Sequence, residues 1–137
     1  MTEKAFQDYY PDEAVATFYP RPYHTAVAGY VYGGLIASVI DCHSTGTAAA
    51  AMYRAQGREM DTDPPLRFLT GSLHVDYLRP TPIEGPLELR AQVKEVKGRK
   101  VVVHTTLSVG GEVCARGEVV AVQVPDRLWA QITGTGQ

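Results

Sequence analysis

Gly33-Gly34-Leu35-Ile36-Ala37-Ser38-Val39-Ile40-Asp41-Cys42-His43-Ser44-Thr45-Gly46-Thr47, followed by four alanines and Met52, is the stretch around which the rest of the chain is arranged. Leu35, Ile36, Val39, Ile40, His43 and Thr47 recur at helical spacing from Gly34 onward, and Gly57 is the expected stop. The helix opens on two glycines and carries one carboxylate, Asp41, about two turns in. Gly46 and Ala48 to Ala51 are small on several faces, as suits a helix enclosed by other elements; plain helix propensity accounts for the alanines equally well. A lone acid in apolar company needs polar partners under any reading.

Working outward, Ala14-Val15-Ala16-Thr17-Phe18-Tyr19 reads as a strand stopped by Pro20 and Pro22, and a loop with His24 and Gly29 leads to the helix. Beyond a charged, proline-bearing loop at 58–65, the chain reads as strands. The first spans 68–77 and ends before Pro80 and Pro82. Leu87, Leu89, Ala91 and Val93 then alternate with Glu88, Arg90, Gln92 and Lys94, the pattern of a half-buried strand. Lys97-Gly98 is a turn, 101–109 a strand, Gly110-Gly111 a hairpin signal and 113–124 the last strand. The expected organisation is a lead-in at 1–13, one domain at 14–125, and a tail at 126–137 that is disordered past Ile132. One helix and antiparallel strands joined by tight turns predict an α+β fold, a curved sheet wrapped around that helix.

The 137 residues, 45% hydrophobic and 20% charged, suffice for one core. A net charge of −2 with scattered Lys and Arg offers no field for nucleic acid. Cys42 and Cys114 fall in different predicted elements without C-x-x-C spacing, which suits a reducing compartment. No signal peptide or membrane-spanning run is visible, so a cytoplasmic protein is expected, with no membrane association. The four histidines lack metal-ligand spacing: His43 points to a different helix face from Asp41 and reads as a packed histidine, and His74 and His104 read as surface positions on strands. No G-x-S-x-G, Walker or dinucleotide fingerprint occurs.

Two separated signatures, Gly33-Gly34 with Asp41 after six further residues and Val75-Asp76-Tyr77-Leu78-Arg79-Pro80 downstream, resemble the hotdog-fold acyl-CoA thioesterases of the PaaI-like, phenylacetate-pathway type. The likeness runs from about Ala14 to Val124. It implies hydrolysis of an acyl-CoA to free acid and coenzyme A, with no metal or redox cofactor, in a homodimer or homotetramer whose sites lie between subunits. By the same resemblance Asp41 is the general base or nucleophile, Gly33 and Gly34 polarise the thioester through their amides, and Thr70, from the other subunit, orients the attacking water. Thr45 stands where a related subgroup carries a hydroxyl, and Ser72 is the alternative to Thr70. Two departures stand out: Tyr32 replaces the usual His, and Ala26 replaces an amide side chain. Tyr32, Arg79, Arg99 and Lys100 are further candidates for substrate contact, the last three for the phosphates of coenzyme A. The rival readings are a non-catalytic acyl-CoA-binding hotdog and a hotdog hydratase or dehydratase using Asp41 with His43.

Overall fold

The structure is a computed structural model that describes residues 13–134, so the lead-in, apart from Glu13, and the last three residues lie outside it. In chain order the elements are β1 (Ala14–Phe18), α1 (Gly33–Ala55), β2 (Phe68–Tyr77), β3 (Leu87–Lys97), β4 (Lys100–Val109), β5 (Glu112–Gln123) and α2 (Asp126–Thr133). The strands form one antiparallel sheet in the order β1-β3-β4-β5-β2, so that the two strands flanking α1 in sequence become the two edges. The connection through α1 therefore spans the sheet, and the helix itself lies along the strands, with its start by Tyr77 and its middle by Thr70 of β2, over β3, β4 and β5. This is the expected α+β hotdog arrangement.

Alternation decides which face the helix covers. Leu87, Leu89, Ala91 and Val93 of β3, Val101, Val103, Thr105 and Leu107 of β4, and Ala115, Val119 and Ala121 of β5 are all buried beneath it. Arg90, His104, Arg116 and Glu118 point to the outer face and are exposed. The core has two zones. Leu35, Ile36 and Ile40 meet Leu87, Leu89, Leu107 and Val119, while further along α1 Ala48 and Ala51 meet Ala91, Val93, Val101, Val103 and Ala121. The alanines thus bring the helix backbone down onto a valine-rich part of the sheet. Fully burying a side chain such as Ile40 contributes about 1.5–3 kcal/mol. Gly117 lies directly beneath Ile40, in space that any β-carbon would have to share with the Ile40 side chain. Ser44 and Thr105, both fully buried, hydrogen-bond each other at 2.6 Å and so satisfy the polar groups at the centre of the interface.

Three expectations change. The helix is covered on one side only: Gly34, Ser38, Cys42 and Gly46, opposite the sheet, are exposed in the single chain, because one five-stranded sheet has just one concave face to offer. The tail forms α2 through Thr133, closed by Gly134 in the left-handed region at φ 70°, with the Arg67 guanidinium 4.7 Å from the Trp129 ring centroid. The strand register is also broken within β2, a point that matters at the site. Among the described residues no helix is long and apolar enough to cross a membrane.

Candidate functional site

The loop before α1 is held by backbone bonds to the segment after β2: Val31 N–H donates to Thr81 O and Ile83 N–H to Gly29 O, both at 2.9 Å. Tyr32, extended at φ −74° and ψ 150°, caps the helix without a side-chain bond. The first amides of a helix have no intrahelical acceptor. Among the described residues none accepts from Gly33 or Gly34, which leaves two N–H donors at the positive end of the helix dipole. Aromatic rings stand over both glycines. A β-carbon on Gly34 would lie 2.9 Å from the Tyr32 ring, and one on Gly33 would lie 3.4 Å from the Tyr77 ring. The Tyr77 hydroxyl also donates to the Gly33 carbonyl at 2.8 Å, fixing the turn from below. Tyr77 lies within the Val75-to-Pro80 signature, but this contact with the helix start carries no mark in the sequence.

Further along α1, Asp41 is half-buried, and the Thr70 hydroxyl of β2 donates to its Oδ1 at 2.6 Å. Thr45 donates to the Asp41 backbone carbonyl at 2.9 Å, and its oxygen lies 3.5 Å from that of Thr70. Asp41, Thr45 and Thr70 thus form one polar cluster. Thr70 reaches Asp41 of its own chain, because β2 and the middle of α1 pack side by side; it does not have to come from a partner. Ser72, the alternative, is registered with Val120 and falls on the other face of the sheet. The hydroxyl of Thr45 is committed to its own helix, so this residue supports Asp41 and Thr70 more than it offers a free donor.

Beside the cluster is an open cleft of about 430 Å³ lined by Asp41, Cys42, Thr45, Gly46, Ala49, Phe68, Leu69 and Thr70. Beyond the acid its helix wall carries nothing larger than threonine, and apart from Thr70 its strand wall is apolar. A larger concavity, about 550 Å³, lies on the outer face of the sheet. It is a weaker candidate, since most of its polar side chains are already partnered: His74 with Asp76 at 3.1 Å, His104 with Glu118 at 2.9 Å, and Arg90 with Glu88 and Glu13. The hydrogen bond from Arg90 to Glu88 and the Glu88 charge raise the pKa of that guanidinium above its ordinary value. Both surface histidines are therefore where the sequence put them, and His43, packed by a 2.8 Å bond to Ala14 O, is turned away from Asp41.

The remaining candidates are not gathered around one point. Arg79 pairs with Glu112 at 3.0 Å beyond the Tyr77 end of β2, whereas Arg99 and Lys100 sit in the β3–β4 turn next to the Leu69 end. Along one helix, Gly33 and Asp41 are separated by a rise of about 12 Å. Among the described residues no group of three or more His, Cys, Asp or Glu is placed to hold a metal ion.

The chain matches the family model described as Thioesterase superfamily over residues 28–116. It is 33% identical over 87 residues to the acyl-coenzyme A thioesterase THEM4 of Xenopus laevis, covering 64% of this chain and 33% of that protein. The chain thus spans about a third of the length of the curated relatives it matches. A thioesterase superfamily protein from Shewanella loihica is 50% identical and superposes with a TM-score of 0.69 over 83% of this chain and 85% of the other. A protein from Bacillus halodurans solved with CoA shares the fold at 18% identity and a TM-score of 0.66, covering 80% and 66% of the respective chains.

Proposed function

The chain belongs to the thioesterase superfamily, and we propose that it hydrolyses an acyl-CoA thioester to a free carboxylic acid and coenzyme A, in the PaaI-like manner. The observation that carries the reading is the 2.6 Å bond from Thr70 to Asp41 at the mouth of an apolar cleft. Asp41 is supplied with a hydroxyl neighbour, and a water held beside the pair is positioned to be deprotonated as it attacks the thioester carbon. Thr70 orients that water, and the acyl group lies along Gly46, Ala49, Phe68 and Leu69. Coenzyme A, bound in the Bacillus halodurans relative, is the carrier the reading requires.

Negative charge developing on the carbonyl oxygen needs donors about 3 Å away. The Gly33 and Gly34 amides have no acceptor among the described residues but lie about 10–12 Å along the same helix from Asp41. The proposed resolution is a homodimer. Strand β2 is an edge of ten residues with Leu69, Leu73 and Tyr77 41%, 40% and 53% exposed, the kind of long apolar edge that proteins cover by pairing. If two copies of β2 pair antiparallel about an axis near Leu73 and His74, Thr70 of one copy falls opposite Tyr77 of the other. Tyr77 carries Gly33 with it, so each site combines one subunit's Asp41 and Thr70 with its partner's helix start. The same pairing brings Arg79 of one subunit toward Arg99 and Lys100 of the other, where they meet the coenzyme A phosphates. A tetramer of such dimers and a cytoplasmic setting, supported by the two free cysteines, complete the proposal.

The test is release of free thiol from acetyl-, hexanoyl-, decanoyl- and phenylacetyl-CoA. Asp41→Asn is expected to lower kcat by about 10²–10⁴-fold with the fold intact. A wild-type chain that binds acyl-CoA yet releases no thiol would be a binding protein, and a fully active Asn variant would remove Asp41 from the mechanism. Because His43 is bonded to the Ala14 carbonyl, hydration of an enoyl-CoA by an Asp41–His43 pair has little geometric support.

A further inference from the structure

We propose that Gly71 is a positioning residue for this reaction: by sitting in a β-bulge it turns the Thr70 hydroxyl to the helix side of the sheet, against Asp41. The inference rests on the thioesterase reading of the site.

Side chains alternate along a strand, so residues an odd number apart face opposite ways. On β2, Tyr77 bonds Gly33 on the helix side, and Val75 and Leu73 are registered with Gly117 and Val119, whose buried positions face α1. His74 and Asp76 line the concavity on the outer face. Continued without a break, the pattern would put Thr70 outside with His74 and would leave residue 71 facing Asp41. The strand does break there. Ser72 is registered with Val120 and Thr70 with its neighbour Ala121, so Thr70 and Gly71 together span one step of β5. A bulge of this kind re-aims a side chain by absorbing one extra residue.

Only glycine fits in that extra position. A β-carbon on Gly71 would come within 2.8 Å of Val122 Cγ2 and 3.2 Å of the Val120 carbonyl oxygen. Val122 is β-branched and stiff, and the carbonyl belongs to the strand backbone, so neither yields cheaply. A side chain at 71 therefore drives β2 back to regular alternation. Thr70 then turns outward, and the side chain at 71 takes the place facing Asp41.

The test compares kcat and KM for thiol release in wild type, Thr70→Val, Gly71→Val, Gly71→Thr and the double variant Thr70→Val/Gly71→Val, with a thermal melt of each. Thr70→Val and Gly71→Val are expected to lower kcat alike, by about tenfold to a hundredfold, with KM little changed. The double variant is expected to lose no more than either single one, since Gly71 acts through Thr70. Gly71→Thr puts a hydroxyl on the helix side and recovers most of the rate. It has the shape of Gly71→Val, so any folding defect is common to both and their difference reads the hydroxyl alone. The inference is overturned if Gly71→Val leaves kcat at the wild-type value, costs as much again on the Thr70→Val background, or is matched by Gly71→Thr. Should the wild type release no thiol from any acyl-CoA, the thioesterase reading fails separately. A crystal structure of Gly71→Val then decides the placement: Thr70 turned outward supports it, and Thr70 still bonded to Asp41 sinks it.

Discussion

Gly33 combines two properties that substitution can separate, an amide hydrogen and the lack of a side chain. Proline at the first helical position removes only the hydrogen at little conformational cost, and Tyr32 before it is already in the extended region that a following proline demands. A β-carbon there meets the Tyr77 ring at 3.4 Å, an ordinary contact. Gly33→Pro is therefore expected to fold and melt like wild type while kcat falls by about 10²–10³-fold, and Gly33→Ala is expected to keep most of the rate. Steady-state thiol release beside a thermal melt checks both, and an active proline variant would move the oxyanion donor elsewhere. The sequence was readable where spacing along one helix sufficed, as in placing Gly33 at the helix start and Asp41 two turns further in. It could not choose between Thr70 and Ser72, because counting faces along a strand assumes an unbroken alternation and the break is a steric event between Gly71 and Val122. Nor did it reveal the bond from Tyr77 to the Gly33 carbonyl, which depends on how β2 ends beneath the helix.

The small residues of α1 do two jobs. Ala48 and Ala51 are buried and let the helix settle on Ala91, Val101 and Ala121, whereas Gly46 faces the cleft beside Asp41, where an added β-carbon meets nothing within 4 Å. Sequence composition made the helix look enclosed all round; only the packing separates residues that are small for the core from one that is small for the cleft. Gly46→Leu should raise the melting temperature, since replacing a mid-helix glycine stabilises by up to about 1 kcal/mol. It should also fill the cleft. For acyl groups long enough to occupy it, kcat/KM is expected to fall by about tenfold or more, with acetyl-CoA unaffected. An unchanged chain-length profile would place the acyl group elsewhere. The strands were legible from alternation and turn residues, down to the bounds of β2. Helix α2 was not, because eight residues bracketed by Pro125 and Gly134 give too short a period, and none of its side chains is buried.

At the scale of the molecule, the two groups the proposed mechanism needs, the Gly33 amide and the Asp41 carboxylate, are held apart on one rigid helix. A straight helix cannot bring Gly33 to Asp41, and an exposed β2 edge offers the way for a second copy to supply the missing half. Nothing in a single sequence displays that relation, since in the proposed dimer the residues involved approach one another only through a symmetry axis. Complementation between two inactive variants tests the proposed dimer. Chains bearing Asp41→Asn and chains bearing Gly33→Pro are each expected to be inactive, yet a heterodimer pairs the intact helix start of one with the intact Asp41 and Thr70 of the other. The second site in that heterodimer contains both lesions and stays silent. In an equal, fully exchanged mixture about half the dimers are mixed, so about a quarter of wild-type activity should appear, as follows from a two-fold interface contacting like with like. Co-expression from one cell, or mixing under conditions that exchange subunits, followed by thiol release, provides the measurement. If the mixture shows only the average of the two inactive parents while mass analysis detects mixed dimers, the two halves of the site do not meet across the interface, and the amide that receives the oxyanion must lie within reach of Asp41 in its own chain.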